Sequence, residues 1–177
     1  MDIKRADLFT VVQFGTKELF EEKLRTEQIQ LKQIINLINE KGISILEQCL
    51  INRKFDIAEL LIKNGAKVNV ISKDNCNELH YLSSNIKNNE SIRIANQLLR
   101  LGVDLNLKDK RYGNTPFWYL CEKAIQINSE ESNEMISICM EQRPNVKSSN
   151  IVGKTVETLV IERGNDWLKK AVLEGLE

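Results

Sequence analysis

One histidine, four cysteines and a set of scattered carboxylates are the groups in this chain that could perform chemistry. His80 could serve as the general base for a cysteine or serine nucleophile, since imidazole titrates near neutral pH. The cysteines stand at 49, 76, 121 and 139, without the short paired spacing of a zinc site or a redox motif. Disulfides and zinc are therefore not expected. No Gly-rich phosphate loop, His-Glu-x-x-His helix or Gly-x-Ser-x-Gly elbow occurs. The carboxylates fall on predicted solvent faces, with no neighbour that would perturb them. The residues give no constellation for catalysis, and neither a cofactor nor a metal is expected.

The elements that carry these residues show a more regular pattern. In Gly113-Asn114-Thr115-Pro116-Phe117-Trp118 the glycine supplies a tight turn and Thr115 can cap a helix. Pro116 suits the first helical turn, where its missing N–H would be unpaired anyway. The same frame recurs at Gly42-Ile43-Ser44-Ile45-Leu46 and at Gly153-Lys154-Thr155-Val156-Glu157. After the first of these come Cys49 and Leu50. There follow Asp56-Ile57-Ala58-Glu59-Leu60-Leu61-Ile62-Lys63-Asn64-Gly65-Ala66-Lys67-Val68-Asn69. A further copy holds Leu79-His80 and closes with Leu98-Leu99-Arg100-Leu101-Gly102-Val103-Asp104-Leu105-Asn106.

This pattern resembles the ankyrin repeat, which runs G-x-T-P-L-H-x-A, a second apolar helix, then L-L-x-x-G-A-x-x-N. Placing the turn position at Lys4, Gly42, Asn75, Gly113 and Gly153 gives spacings of 38, 33, 38 and 40, against about 33 for the family. Five copies follow, at approximately 4–36, 42–69, 75–106, 113–147 and 153–175, in one domain spanning 1–177. The implied fold is all-α, a solenoid of paired antiparallel helices joined by short β-hairpins. The first and last copies depart most from the pattern, as suits caps that face water on one side.

Within that frame, residues 8–14 and 18–24 are the first helix pair, and 27–37 is expected to extend the outer helix. Glu21-Glu22-Lys23 stands where internal copies carry leucines. Residues 84–91 and 128–133 read as inserted loops, ahead of a helix over 134–141. Arg143-Pro144 replaces the expected Gly-Ala and is expected to alter the helix exit. A final helix runs to about Leu173, with Trp167 closing the end of the stack. The resemblance also places Cys49 and Cys121 at small packed positions. It puts His80 where the family's ring hydrogen-bonds between neighbouring repeats, which removes the one candidate base.

What the resemblance implies is protein binding, through a concave face of turn tips and inner helices. The frame puts Ile38, Glu40 and Lys41 on one tip, and Ile71, Lys73 and Asp74 on the next. Arg111, Tyr112 and Asn114 follow, then Ile151 and Lys154 with Ser149 and Val152. Toward the inner-helix ends lie Ile51, Asn52, Ser84, Asn85, Glu122, Lys123, Glu162 and Arg163. The turn from Asn106 to Gly113 is one residue longer than that from Asn69 to Asn75. It should push Arg111 and Tyr112 forward.

The bulk numbers agree with a soluble binding module. Lysine plus arginine and aspartate plus glutamate are each 25, so no global field favours nucleic acid or membrane. Residues 122–141 nevertheless hold five acidic side chains and one lysine. No stretch approaches the roughly 18 apolar residues a membrane span needs, and the N-terminus has no signal-peptide core. The expected location is cytoplasmic, and the expected state is a monomer when free. Richness in isoleucine, lysine and asparagine points to an AT-rich bacterial or viral genome. With no effector domain beside the repeats, the chain should act by occupying another protein, such as a toxin or an enzyme. A bacterial inhibitor or immunity protein is the leading expectation, and an adaptor, scaffold or host-directed effector is the alternative.

Overall fold

A computed structural model describes residues 5–86 and 89–175. The described residues are all-helical, and no strand forms among them. The helices are α1 (Leu8–Phe14), α2 (Lys17–Thr26), α3 (Leu31–Ile34), α4 (Ile45–Ile51), α5 (Phe55–Lys63) and α6 (Glu78–Leu82). They continue with α7 (Asn89–Arg100), α8 (Pro116–Ile127), α9 (Glu130–Met140), α10 (Val156–Arg163) and α11 (Asp166–Lys169). A 3₁₀ turn, Ser83–Asn85, follows α6, and a π turn, Lys170–Glu174, follows α11.

Two rows are built in chain order. Helices α1, α4, α6, α8 and α10 each touch the next in one row, while α5, α7, α9 and the π turn do so in the other. Sequence neighbours α1–α2, α4–α5, α6–α7 and α8–α9 pack across the rows. The apolar residues at helical spacing line the space between. Ile45, Leu46, Cys49 and Leu50 of α4, Ile57, Ala58 and Leu61 of α5, and Leu79 and Leu82 of α6 are all fully buried. Helix starts are set by side-chain caps. Ser44 Oγ accepts from the Glu47 amide at 3.1 Å. Thr115 Oγ1 accepts from Trp118 at 3.1 Å, and Thr155 Oγ1 from Thr158 at 3.1 Å. Helix stops use left-handed backbone at Gly65 (φ 85°) and Gly102 (φ 81°).

Several expectations are corrected. Among the described residues the connections are turns without strands, and a single bridge pairs Ile38 with Ser44. The outer helix does not run on through 27–37. It ends at Thr26, Gln28 takes a left-handed φ of 55°, and α3 starts separately. Lys23 is buried rather than wet, with its ammonium on Glu27 at 2.6 Å. Residues 128–133 are not a loop. Helix α8 runs to Ile127, Asn128 turns left-handed (φ 49°), and Ser129 already caps α9.

The exit at Arg143 keeps the left-handed turn, and it is altered in one respect: Pro144 has no N–H to match the bonds that Ala66 and Val103 donate to the Leu61 and Leu98 carbonyls at the other exits. Arg143 itself takes the left-handed φ (52°), and its N–H reaches the Met140 carbonyl at 2.9 Å, as Gly102 reaches Leu99. The last helix runs from Asp166 to Lys169 and continues without a break as a π turn to Glu174, close to the expected end at Leu173. The expected first turn position, Lys4, and residues 87–88 of the expected insertion lie outside the described residues. Trp167 is half-buried against the core.

Candidate protein-binding surface

Four turns, at 39–42, 72–75, 109–113 and 150–153, share one construction. Asn39, Ser72, Asp109 and Asn150 open them, and each donates its N–H across the turn, to Ile43, Cys76, Asn114 and Lys154 at 2.8–3.0 Å. The closing residue is left-handed in each: Gly42, Asn75, Gly113 and Gly153. At Gly113 a Cβ would also meet Ile151 at 3.1–3.2 Å, so space as well as backbone favours glycine there. The opening side chain holds the turn amides. Asn39 Oδ1 accepts from Lys41 and Ile43, and Asn150 Oδ1 from Val152 and Lys154.

Asp109 carries the longest of these turns. Its Oδ1 accepts the amides of Arg111 and Tyr112, both at 2.7 Å, and its Oδ2 accepts the Asn114 amide and the Tyr119 hydroxyl. The partner of its own N–H lies five residues on instead of four, which is the extra residue seen in the sequence.

Successive turns are then tied together through the backbone. The Lys73 amide donates to the Lys41 carbonyl at 3.0 Å, Lys110 to Asp74 at 2.9 Å, and Ile151 to Tyr112 at 3.0 Å. Behind them Asn36, Asn69 and Asn106 receive the amides of Lys67, Asp104 and Asn145.

This continuous row brings together most of the residues assigned to it. Ile38 (54% exposed), Ile71 (43%), Tyr112 (45%) and Ile151 (69%) all face outward, as do Glu40, Lys41, Lys73, Asp74 and Arg111. The Arg111 guanidinium lies over the Tyr112 ring, 5.0 Å from its centroid. Lys154 is exposed and paired with Glu162. Glu122 stands apart on α8, half-buried, beside Arg163 at 3.9 Å.

Asn114 does not face outward as expected. It is buried at 8% exposed, and its Oδ1 accepts from Asn150 at 2.9 Å, so it braces two turns. Asn85 is likewise buried and internally used, on the Leu50 carbonyl and Arg53.

At the N-terminal end, Ile38, Glu40, Lys41, Phe9, Ile43 and Ile51 line an open groove of about 640 Å³ with polar neighbours from α1 and α4. Sequence reasoning missed Phe9, because the first copy is too degenerate to align. It also passed over Lys108 and Lys110, whose ammonium groups reach the Ser149 and Lys73 carbonyls at 2.6 and 2.7 Å. The run Lys108-Asp109-Lys110-Arg111 was the available signal.

His80, Glu47, Glu78 and three of the four cysteines are buried. Asn77 donates its amide to His80 Nδ1 at 3.1 Å, and His80 Nε2 faces the Asn114 carbonyl at 3.4 Å. The neutral Nε2–H tautomer satisfies both contacts. Burial lowers the His80 pKa to about 4, so the ring bridges neighbouring units as a neutral imidazole.

Glu47 completes the Ser44 cap through Oε2 at 2.6 Å, while its buried Oε1 has no partner. Burial raises its pKa to about 8. Glu78, also pushed upward by burial, accepts the Asn69 and Val70 amides. Burial pushes the Cys76 thiol to about 11 and Cys139 to about 12, and it raises Cys49 and Cys121 as well, so none is an activated nucleophile.

Among the described residues, no group of three or more histidine, cysteine or acidic side chains is placed to hold a metal ion. No helix there is long and apolar enough to cross a membrane. Comparison with protein-family models and with curated proteins finds no match to this chain. The functional reading therefore rests on the surface itself.

Proposed function

We propose that the chain is a stack of ankyrin-type repeats that binds another protein through its turns and the adjoining inner helices, and acts by occupying that target. The observation that carries this reading is the row of outward apolar side chains, Ile38, Ile71, Tyr112 and Ile151, on turns that are held without them. The turns are fixed by amide–carbonyl bonds and by the side chains of Asn39, Ser72, Asp109 and Asn150, so their geometry does not depend on the outward apolar groups. Rigid apolar groups with charged neighbours are the composition of an interface core and rim.

Inhibition is the mode of action we propose, with the chain covering the working surface of a cognate bacterial toxin. An adaptor or host-directed scaffold is the competing mode.

The test is affinity capture from the source cell with wild type and with Ile71→Ser/Ile151→Ser, followed by an activity assay of the captured protein. A partner held by wild type and lost by the variant supports the surface. Equal capture by both would move the partner elsewhere. Loss of the partner's activity in the complex supports inhibition, whereas an active partner retained together with a third protein supports the adaptor.

A further inference from the structure

We infer that the partner's contacting segment is acidic as well as apolar: a protein strand or helix that sets carboxylates between hydrophobic residues against the two middle turns. This inference rests on the protein-binding reading and adds the chemistry of the partner. The chain has no net charge, yet the exposed residues of its middle turns do not share that balance. Lys41, Lys73, Lys108, Lys110 and Arg111 lie on this ridge, and none has a carboxylate partner among the described residues. Glu40 and Asp74 are the opposing exposed acids.

Asp109 does not offset the ridge by pairing with its cations. It is buried, and both its oxygens are taken by the amides of Arg111, Tyr112 and Asn114 and by the Tyr119 hydroxyl. The fold also gathers the cations. Backbone bonds join the Lys41 turn to the Lys73 turn and the Asp74 turn to Lys110, and the Lys110 ammonium sits on the Lys73 carbonyl. By contrast, Lys147 and Lys154 on the last turn, and Lys63 and Arg93 on the outer helices, each have a carboxylate within 4.0 Å. An excess of positive charge, kept on a rigid ridge, is what complementary charge on a partner would neutralise.

The neighbours of these cations separate an acidic protein from a nucleic acid. Strand binding by stacking needs a succession of aromatic faces. The ridge offers Tyr112 alone, and Arg111 already covers one face of that ring. Its other exposed large groups, Ile38, Ile71, Ile151 and Val152, are aliphatic. They match leucine or phenylalanine side chains and have no partner on a phosphate backbone. Arg111 suits a carboxylate, which its planar fork can grip with two parallel bonds.

The experiment uses the full chain with three labelled probes. These are a short peptide alternating Asp or Glu with Leu or Phe, the same peptide with Lys at the acidic positions, and single-stranded oligothymidylate of matched charge. Anisotropy gives affinity, and amide chemical shifts give the footprint. The acidic peptide should bind best and perturb residues 71–74 and 108–112. Lys73→Glu/Arg111→Glu should weaken it by about ten-fold or more with an unchanged melting curve. Arg25→Glu/Lys32→Glu, which alters the same bulk charge elsewhere, should leave affinity nearly unchanged.

Preference for the lysine peptide on the same turns would overturn the acidic partner while leaving the protein-binding surface standing. Tighter binding of oligothymidylate there would overturn it in favour of a nucleic acid. Absence of binding by either peptide, or a footprint away from the turns, would overturn both this inference and the reading beneath it.

Discussion

The helical body and the row of turns are held by different means. In the body, fully buried leucine, isoleucine and cysteine side chains fill the space between two helix rows, and the few buried polar groups are caps or bridges. In the turns, the fixed atoms are amides, carbonyls and the oxygens of Asn39, Asp109 and Asn150, while the large side chains stand in water. A body side chain is therefore part of the fold, whereas the large outward side chains of the turns are not what holds them. That difference makes the turns available to a partner, and it can be broken or sharpened by substitution.

The largest effect belongs to the body. Leu61→Asp or Cys49→Arg places an unpaired charge at a fully buried site, and a repeat array relies on neighbouring units for burial. Cooperative melting should be lost, since the cost of several kcal/mol rivals the whole stability of a domain. Ile151→Asp puts the same acidic group on a turn and should shift the melting temperature only slightly. Similar melting curves for the two variants would erase the distinction.

Next comes a turn residue that is buried with the body. Asp109→Ala removes the acceptor of three amides and of the Tyr119 hydroxyl at a buried site, at a cost of roughly 2–4 kcal/mol in denaturant unfolding. Asn39→Ala removes the acceptor of two amides in a more open turn and should cost about half that. Equal costs would mean that the turns are interchangeable and that the longer one has no special anchor.

The buried polar groups give the body a pH signature. Glu47 has a folded pKa near 8 against 4.5 unfolded, so its contribution is complete below pH 4.5 and is lost as pH rises toward 8. His80 runs the other way: near 4 folded against 6.5 unfolded, it contributes above pH 6.5 and loses that contribution as pH falls. The two slopes offset one another between 4.5 and 6.5. Above 6.5 the carboxyl acts without the histidine, and stability should fall by roughly 2 kcal/mol by pH 8. Glu47→Gln should flatten that fall, as urea titrations at a series of pH values would show.

The body was also the more legible region. Helices declare themselves by apolar spacing and caps, so α4, α5 and the starts at Ser44, Thr115 and Thr155 could be read directly. The left-handed turn positions at Gly42, Asn75, Gly113 and Gly153 were equally plain, because few residues tolerate that backbone. Arg143 hid the same geometry under a side chain that does not announce it. Asn114 sits beside Tyr112 in sequence but points inward, because Asp109 draws its amide down and Asn150 takes its side chain. A repeat frame gives a residue's place along the chain. Which side of the turn it faces depends on a carboxylate five residues earlier.

The smallest effect on the fold is expected where the effect on binding should be greatest. Arg111 and Tyr112 are exposed, and their side chains touch one another. Their amides, not their side chains, hold the turn to Asp109, and the Tyr112 carbonyl receives Ile151. Changing both to alanine keeps every one of those backbone bonds. An exposed cation–π pair is worth about 0.5–1 kcal/mol, so the melting temperature should scarcely move. In a complex the same pair would be desolvated together. Arginine and tyrosine are the residue types most often found to carry interface energy, and the double change should weaken partner binding by roughly 2 kcal/mol or more. The two measurements must be made on one preparation, because only a folded variant with lost affinity separates the turn side chains from the turn backbone. Full affinity in a folded double mutant would place the contact away from the middle turns. The acidic residues between 122 and 141, which include Glu122 beside Arg163, would then be the next surface to substitute.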